Sequence, residues 1–231
     1  LRTMIKTTFG NKYVLLLSLS MALAVGSTNI RASAIVYYFN YYLGREDLLP
    51  LFFLVIYGSL MIGMPLIAPV SRKFGRRNTF IVSLVVFAIA NSSIFLAPQS
   101  SPWVVFVANF IGGIATAFTA SLPLALMPDA VDFSQWKYGA RTEGVIFSFN
   151  SFASKVAMAI GGGIPAYMLS LTGYMPGAAQ SPEALKGIAA IMSVVPGAIL
   201  LLSALVILFY DMNEEKFSRI VADLKSGKET P

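Results

Sequence analysis

Six apolar runs, each about twenty residues or longer, alternate with short polar segments, and this spacing limits the possible folds more than any other feature of the chain. About twenty helical residues at about 1.5 Å apiece cross a hydrocarbon core of about 30 Å. The runs cover 13–43, 49–70, 79–96, 102–126, 144–171 and 188–210, with a polar lead over 1–12 and a charged tail over 211–231. With 56% hydrophobic and 12% charged residues, the expected surroundings are lipid rather than water. The expected fold class is therefore all-α and integral to a membrane, a six-helix transmembrane bundle in contact with the lipid bilayer.

Several residues predict irregular helices. The first run is long for one crossing and holds Gly26, Ser27, Thr28, Asn29 and Arg31 in its middle, so it should be tilted or locally broken there. Pro65 and Pro69 stand near the end of the second run, and Pro102 opens the fourth, where its missing N–H costs nothing. In the fifth, Gly161, Gly162, Gly163 and Pro165 predict a kink or a close helix contact.

The formal charge of +6 is spread between the runs rather than along one surface, which argues against nucleic acid as a partner. Lys and Arg instead report topology. Arg2, Lys6 and Lys12, then Arg72, Lys73, Arg76 and Arg77, then Lys137 and Arg141, and finally Lys216, Arg219, Lys225 and Lys228 all fall on one side. Only Arg45 and Lys186 fall on the other, so both termini of the segment are expected in the cytoplasm and the protein in the inner (plasma) membrane. The lead to Lys12 has no cleavage-site pattern and reads as a linker inside a longer protein.

The chain has neither cysteine nor histidine, and its apolar runs hold no carboxylate. Thiolate or imidazole metal sites, a histidine proton relay and an intramembrane enzyme therefore have no support in this segment. Two cations do stand within the runs, Arg31 and Lys155, while every acidic residue is expected in a loop or terminus. A basic group at a helix centre costs about 2.5–3.5 kcal/mol on insertion scales, a burden at odds with a purely structural scaffold. Either these cations face an aqueous cavity, or their counter-ions come from another segment packed against this one. Arg31 and Lys155 each have a further option, reaching along the stem to an interface.

Around Lys155, Ser148 and Ser151 share its helical stripe, while Asn150 and Ser154 form a neighbouring pair. Such a face can hydrogen-bond sugar hydroxyls or tie helices together. In the fourth run Asn109, Gly112, Gly113, Thr116, Thr119 and Ala120 share an arc of about 120°, read as a packing stripe in which Asn109 suits either purpose.

The segment from Met127 to Lys155, MPDAVDFSQWKYGARTEGVIFSFNSFASK, resembles the signature region of the glycoside-pentoside-hexuronide:cation symporters of the major facilitator superfamily. The likeness lies in Asp129 and Asp132 as D-x-x-D-F, in Arg141 with Glu143, and in Lys155. Asn29-Ile30-Arg31, Tyr37-Tyr38-Phe39, Gly173-Tyr174, Gln180-Ser181-Pro182 and the turn Arg72 to Arg77 add to it. In register, the chain is similar to helices seven to twelve, the carboxyl-terminal half of a twelve-helix carrier.

The resemblance implies alternating access, with a small sugar substrate held between this bundle and an amino-terminal six-helix half. It assigns substrate binding to Lys155, Asn150 and Ser151, joined by Arg31 and Asn29, and gating to Asp129, Asp132, Arg141 and Glu143. It implies no cofactor beyond a coupling Na+ or H+, bound mainly by acids of the other half. Small residues around Ala120, where melibiose carriers have an aromatic, point away from melibiose. Phe147, Phe149 and Phe152 keep open a lipid or drug carrier of the same superfamily.

Overall fold

A computed structural model describes residues 7–139 and 141–226, and among these there are only helices and their connections. Helix α1 (Lys12–Tyr37) begins at Asn11, whose Oδ1 accepts from the amides of Tyr13 and Val14 at 3.0 and 3.3 Å. Helix α2 (Leu49–Phe74) turns at Gly75, φ +80°, into α3 (Arg76–Ser93). Helices α4 (Pro102–Tyr138) and α5 (Glu143–Leu171) follow, then α6 (Pro182–Met192), α7 (Val194–Leu208) and α8 (Glu214–Lys225). Six helical stretches are long and apolar enough to cross a membrane, α6 and α7 together making the sixth.

Four boundaries differ from the sequence reading. The first run is unbroken through Gly26 to Arg31 and loosens only afterwards, into a π-helical segment Tyr38–Leu43 that ends at Gly44, φ +62°. The polar side chains there find acceptors inside the bundle, so the backbone has no need to open. Conversely the sixth run breaks at Ser193, whose φ and ψ of −129° and −70° leave the helical region. The residues after 126 continue α4 to Tyr138 rather than forming a loop, because hydropathy reports the solvent and not the helix, and the first residue in the left-handed region is Gly139, φ +64°. Part of the charged tail folds as α8, capped by Asn213, whose Oδ1 accepts from Lys216 N at 2.8 Å.

Helices α1 and α4 touch at the centre; α1 also packs on α5 and α7, α4 on α2 and α3, and α3 on α7. Lipid tails are as apolar as leucine, so close packing rather than the hydrophobic effect must hold these pairs, and small residues mark the seams. A methyl added at Gly161 of α5 would stand 2.7 Å from the Gly26 carbonyl of α1. At Gly63 of α2 it would stand 2.8 Å from Ile114 O of α4, and Gly197 of α7 closes on Ser92 and the Ala88 carbonyl of α3. Ser20 and Ser203 hydrogen-bond across α1 and α7 at 2.7 Å, and Ser27 Oγ donates to Pro196 O at 2.9 Å. The kink or close contact expected at the glycine run is thus a close contact within a continuous helix.

The core has two parts. At the end that carries the start of α1 and α8, Tyr13, Phe80, Leu122, Met127, Ile207 and Tyr210 are buried together. At the opposite end Ile30, Tyr38, Phe39, Phe52, Ile94 and Met192 are. The start of α1 and the start of α8 are pinned together by Asp211, which accepts ion pairs from Lys12 at 2.8 Å and Lys216 at 3.4 Å, while Lys216 also donates to Tyr13 Oη at 2.8 Å. Partial burial pushes the Asp211 carboxyl up, but Lys12, Tyr13 and Lys216 outweigh it and hold the group well below its ordinary range. In the spans containing α2 and α5 only 17% of the apolar window is buried, against 44–56% for the other four. These two helices frame the site.

Candidate functional site

Arg31 points from α1 into the bundle and is 8% exposed. Its guanidinium donates to Asn109 Oδ1 of α4 at 2.5 Å and lies over the Phe52 ring of α2, 5.6 Å from the centroid. Asn109 Nδ2 reaches the Phe52 carbonyl at 3.4 Å, so one amide side chain joins three helices. The cation therefore does not run to a headgroup; an amide oxygen and a ring face supply its solvation. They supply no opposite charge, and Arg31 Nε has no partner among the described residues.

Lys155 has the opposite placement. It lies on the exposed side of α5 and makes no hydrogen bond or ion pair with a described residue. Ser148 and Ser151 are exposed beside it, and at helical spacing Ala159, Gly162, Ala166 and Ser170 extend the same small or polar stripe. Asn150 turns instead toward α1, where it is 3% exposed and its Nδ2 donates to Met21 Sδ at 3.3 Å. Its Oδ1 and the nearby Ser154 Oγ are buried without partners among the described residues. Asn29 is half-buried and bonds its own helix, Nδ2 to Val25 O at 2.9 Å. The five expected substrate residues thus divide: Ser151 and Lys155 face outward, Asn150 lines the α1–α5 seam, and Arg31 and Asn29 are engaged within the bundle.

The four expected gating residues divide too. Asp129, expected in a loop, sits on α4, 5% exposed, and accepts from Arg76 at the head of α3 at 3.2 and 2.6 Å. Arg76 also donates to the Ala125 carbonyl at 2.8 Å, locking α3 to α4. Arg141 instead forms a surface cluster with Asp132 at 3.3 Å, Gln135 at 3.2 Å and Glu143 at 3.4 Å. Arg76 read in sequence as a topology charge and as part of a basic turn shared with the family, but its pairing with Asp129, 53 residues away, had no local signal.

A profile of the MFS/sugar transport protein family matches residues 1–214. The chain belongs to that family. Among its curated relatives, a candidate sulfoquinovose importer of Escherichia coli (strain K12) is 31% identical over 222 residues, covering 95% of this chain and 47% of the relative. A glucuronide carrier protein homolog of the same strain is 30% identical, with 94% and 48% covered. An isoprimeverose transporter of Lactiplantibacillus pentosus is 30% identical, with 84% and 40% covered. The chain spans about half the length of the curated relatives it matches. Membership and six membrane-length helices make it a multi-pass membrane protein of a carrier family rather than an enzyme.

Proposed function

We propose that this bundle is the carboxyl-terminal half of a secondary carrier that couples a cation, Na+ or H+, to uptake of a sugar, glycoside, pentoside or hexuronide by alternating access. One observation carries the reading: Lys155 stands on an outward stripe of small and polar residues, unpaired among the described residues, on a helix of which most is uncovered. An ammonium in an apolar span requires water, a ligand or an opposite charge, and an amino-terminal half closing over α2 and α5 would enclose all three. In this reading Lys155 and Ser151 meet the substrate, Arg31 ties α1 to α4, and Asn150 and Asn29 lie behind them at the α1–α5 seam.

Two of the named relatives suggest the substrate class, since a sulfonated sugar and a glucuronide are both anions. A lysine suits either through charge-assisted hydrogen bonds. With the termini cytoplasmic, as the Lys/Arg distribution favours, Arg141 with Asp132 and Glu143 forms the latch that opens inward. Arg76 with Asp129 fixes the helix that carries it.

The test is uptake by the full-length protein carrying Lys155→Ala. Coupled accumulation should fall at least about a hundredfold, because a charge-assisted contact of about 3 kcal/mol is lost, while the amount of protein in the membrane is unchanged. Accumulation at the parental level would refute the proposal.

A further inference from the structure

The turn joining α2 to α3 opens a hollow of about 340 Å³ lined by Arg72, Lys73, Arg76 and Arg77. Its one carboxylate, Asp129, is taken by Arg76. Arg77 donates one N–H to the Leu208 carbonyl at 2.8 Å, and its Nε is buried without a partner among the described residues. Arg72 and Lys73 are exposed and make no hydrogen bond or ion pair with a described residue. Gly75 starts α3 without a side-chain cap, which leaves the first amides of that helix open beside the same cations. The hollow is built for an anion.

Phe74 and Asn78 line both this hollow and an apolar groove of about 480 Å³ that follows α3 between α2 and α4 past Val82 and Phe118. Val86 and Ile111 then lead into a further apolar hollow of about 520 Å³ ending at Ser93 and Trp103. From Asn78 to Ser93 the axis of α3 rises about 22 Å at about 1.5 Å per residue, longer than one leaflet of a hydrocarbon core, about 15 Å. Three hydroxyls touch the trough, and each is committed to its own helix: Thr79 Oγ1 donates to Gly75 O and Ser83 Oγ to Phe80 O, both at 2.8 Å, and Ser93 Oγ to Ala90 O at 2.7 Å. A polar ligand would gain nothing along it. A hydrocarbon chain would.

We infer that this cationic hollow and the apolar trough together seat one anionic phospholipid, the phosphate at Arg72, Lys73 and Arg77 and one acyl chain along α3. A free inorganic anion needs the hollow but not the trough, which separates the two ligands experimentally. The orientation proposed above enters only in saying that the cytoplasmic leaflet supplies the lipid. Lipid retention is read without transport, so the two ideas fail separately.

The experiment is native mass spectrometry of the purified full-length protein after exchange into phosphatidylglycerol or phosphatidylcholine. The parent should retain one phosphatidylglycerol in preference to phosphatidylcholine. Arg72→Gln/Lys73→Gln should cut that preference by about thirtyfold at low salt, from about fivefold per surface cation. Val82→Trp, which fills the trough and leaves every cation in place, should also lower retention, and millimolar inorganic phosphate should not displace the lipid. Lys186→Gln, on α6 at the opposite end of the bundle, should have no effect. Equal retention of the two lipids, an unaltered preference in the double variant, or displacement by phosphate with Val82→Trp neutral would each overturn the inference; an unchanged thermal midpoint for both variants guards against misfolding.

Discussion

Two cations lie within apolar spans of this chain, and their surroundings are opposites. Arg31 is enclosed by α1, α2 and α4, with Asn109 Oδ1 at 2.5 Å and the Phe52 ring beside it. Lys155, on α5, has a stripe of serines, alanines and glycine around it and no partner among the described residues. The sequence presents them alike, as basic residues in hydrophobic runs, yet one is answered inside the bundle and the other is left facing out. Burying a cation beside a neutral amide makes it a structural tie, while leaving one exposed on a membrane helix reserves it for something that arrives later.

That contrast can be broken most forcefully at Asn109. Asn109→Leu leaves the Arg31 guanidinium without its oxygen acceptor and should destabilise the protein by about 2–3 kcal/mol, read as a lowered thermal midpoint in detergent. Lys155→Met should stay within about 0.5 kcal/mol of the parent in the same assay. Comparable losses for both would erase the distinction.

The two faces of α5 offer the next test. Gly161→Ala drives a methyl against the Gly26 carbonyl and should cost about 1–3 kcal/mol. Gly162→Ala, one residue on, meets no described atom within 4 Å and should be neutral, or stabilising by up to about 1 kcal/mol through helix propensity. The same melting experiment ranks them.

A smaller difference is expected within the D-x-x-D pattern. Asp129→Asn weakens a bidentate pair whose carboxylate side is 7% exposed and should cost about 1–2 kcal/mol. Asp132→Asn acts on a pair whose arginine is 55% exposed and should cost less than about 1 kcal/mol. Smallest of all is the Asp211 pin between the starts of α1 and α8. Because the folded Asp211 carboxyl lies below its ordinary value of 3.8, its contribution is complete above that pH and is lost as acid takes the pH below it. The melting difference between the parent and Asp211→Asn should therefore be visible at neutral pH and shrink on descending through pH 4.

Hydropathy made the number of crossings legible, and proline and glycine marked the start of α4 and the α1–α5 seam. The π-helical segment Tyr38–Leu43 carried no such mark, whereas the break at Ser193 had one in Pro196, which has no amide to offer the Met192 carbonyl and stands in the first turn of α7. Partners, too, went unmarked. Arg31 and Asn109 stood out singly, each a polar group out of place, but they are 78 residues apart and nothing local joins them. Asp129 was legible as part of a motif and misplaced in a loop, because the helix outlasts the lipid-facing run by about three turns.

Water access along α5 tests the central claim most directly. The chain is free of cysteine, so single cysteines can be placed at Ser151 on the outward stripe and at Ser27 in the α1–α7 seam, in an otherwise cysteine-free full-length protein, and treated in membranes with a small, charged, water-soluble thiol reagent. Ser151→Cys should react and be shielded by transported sugar, whereas Ser27→Cys should stay inert. An unreactive Ser151→Cys beside a reactive Ser27→Cys would contradict the account.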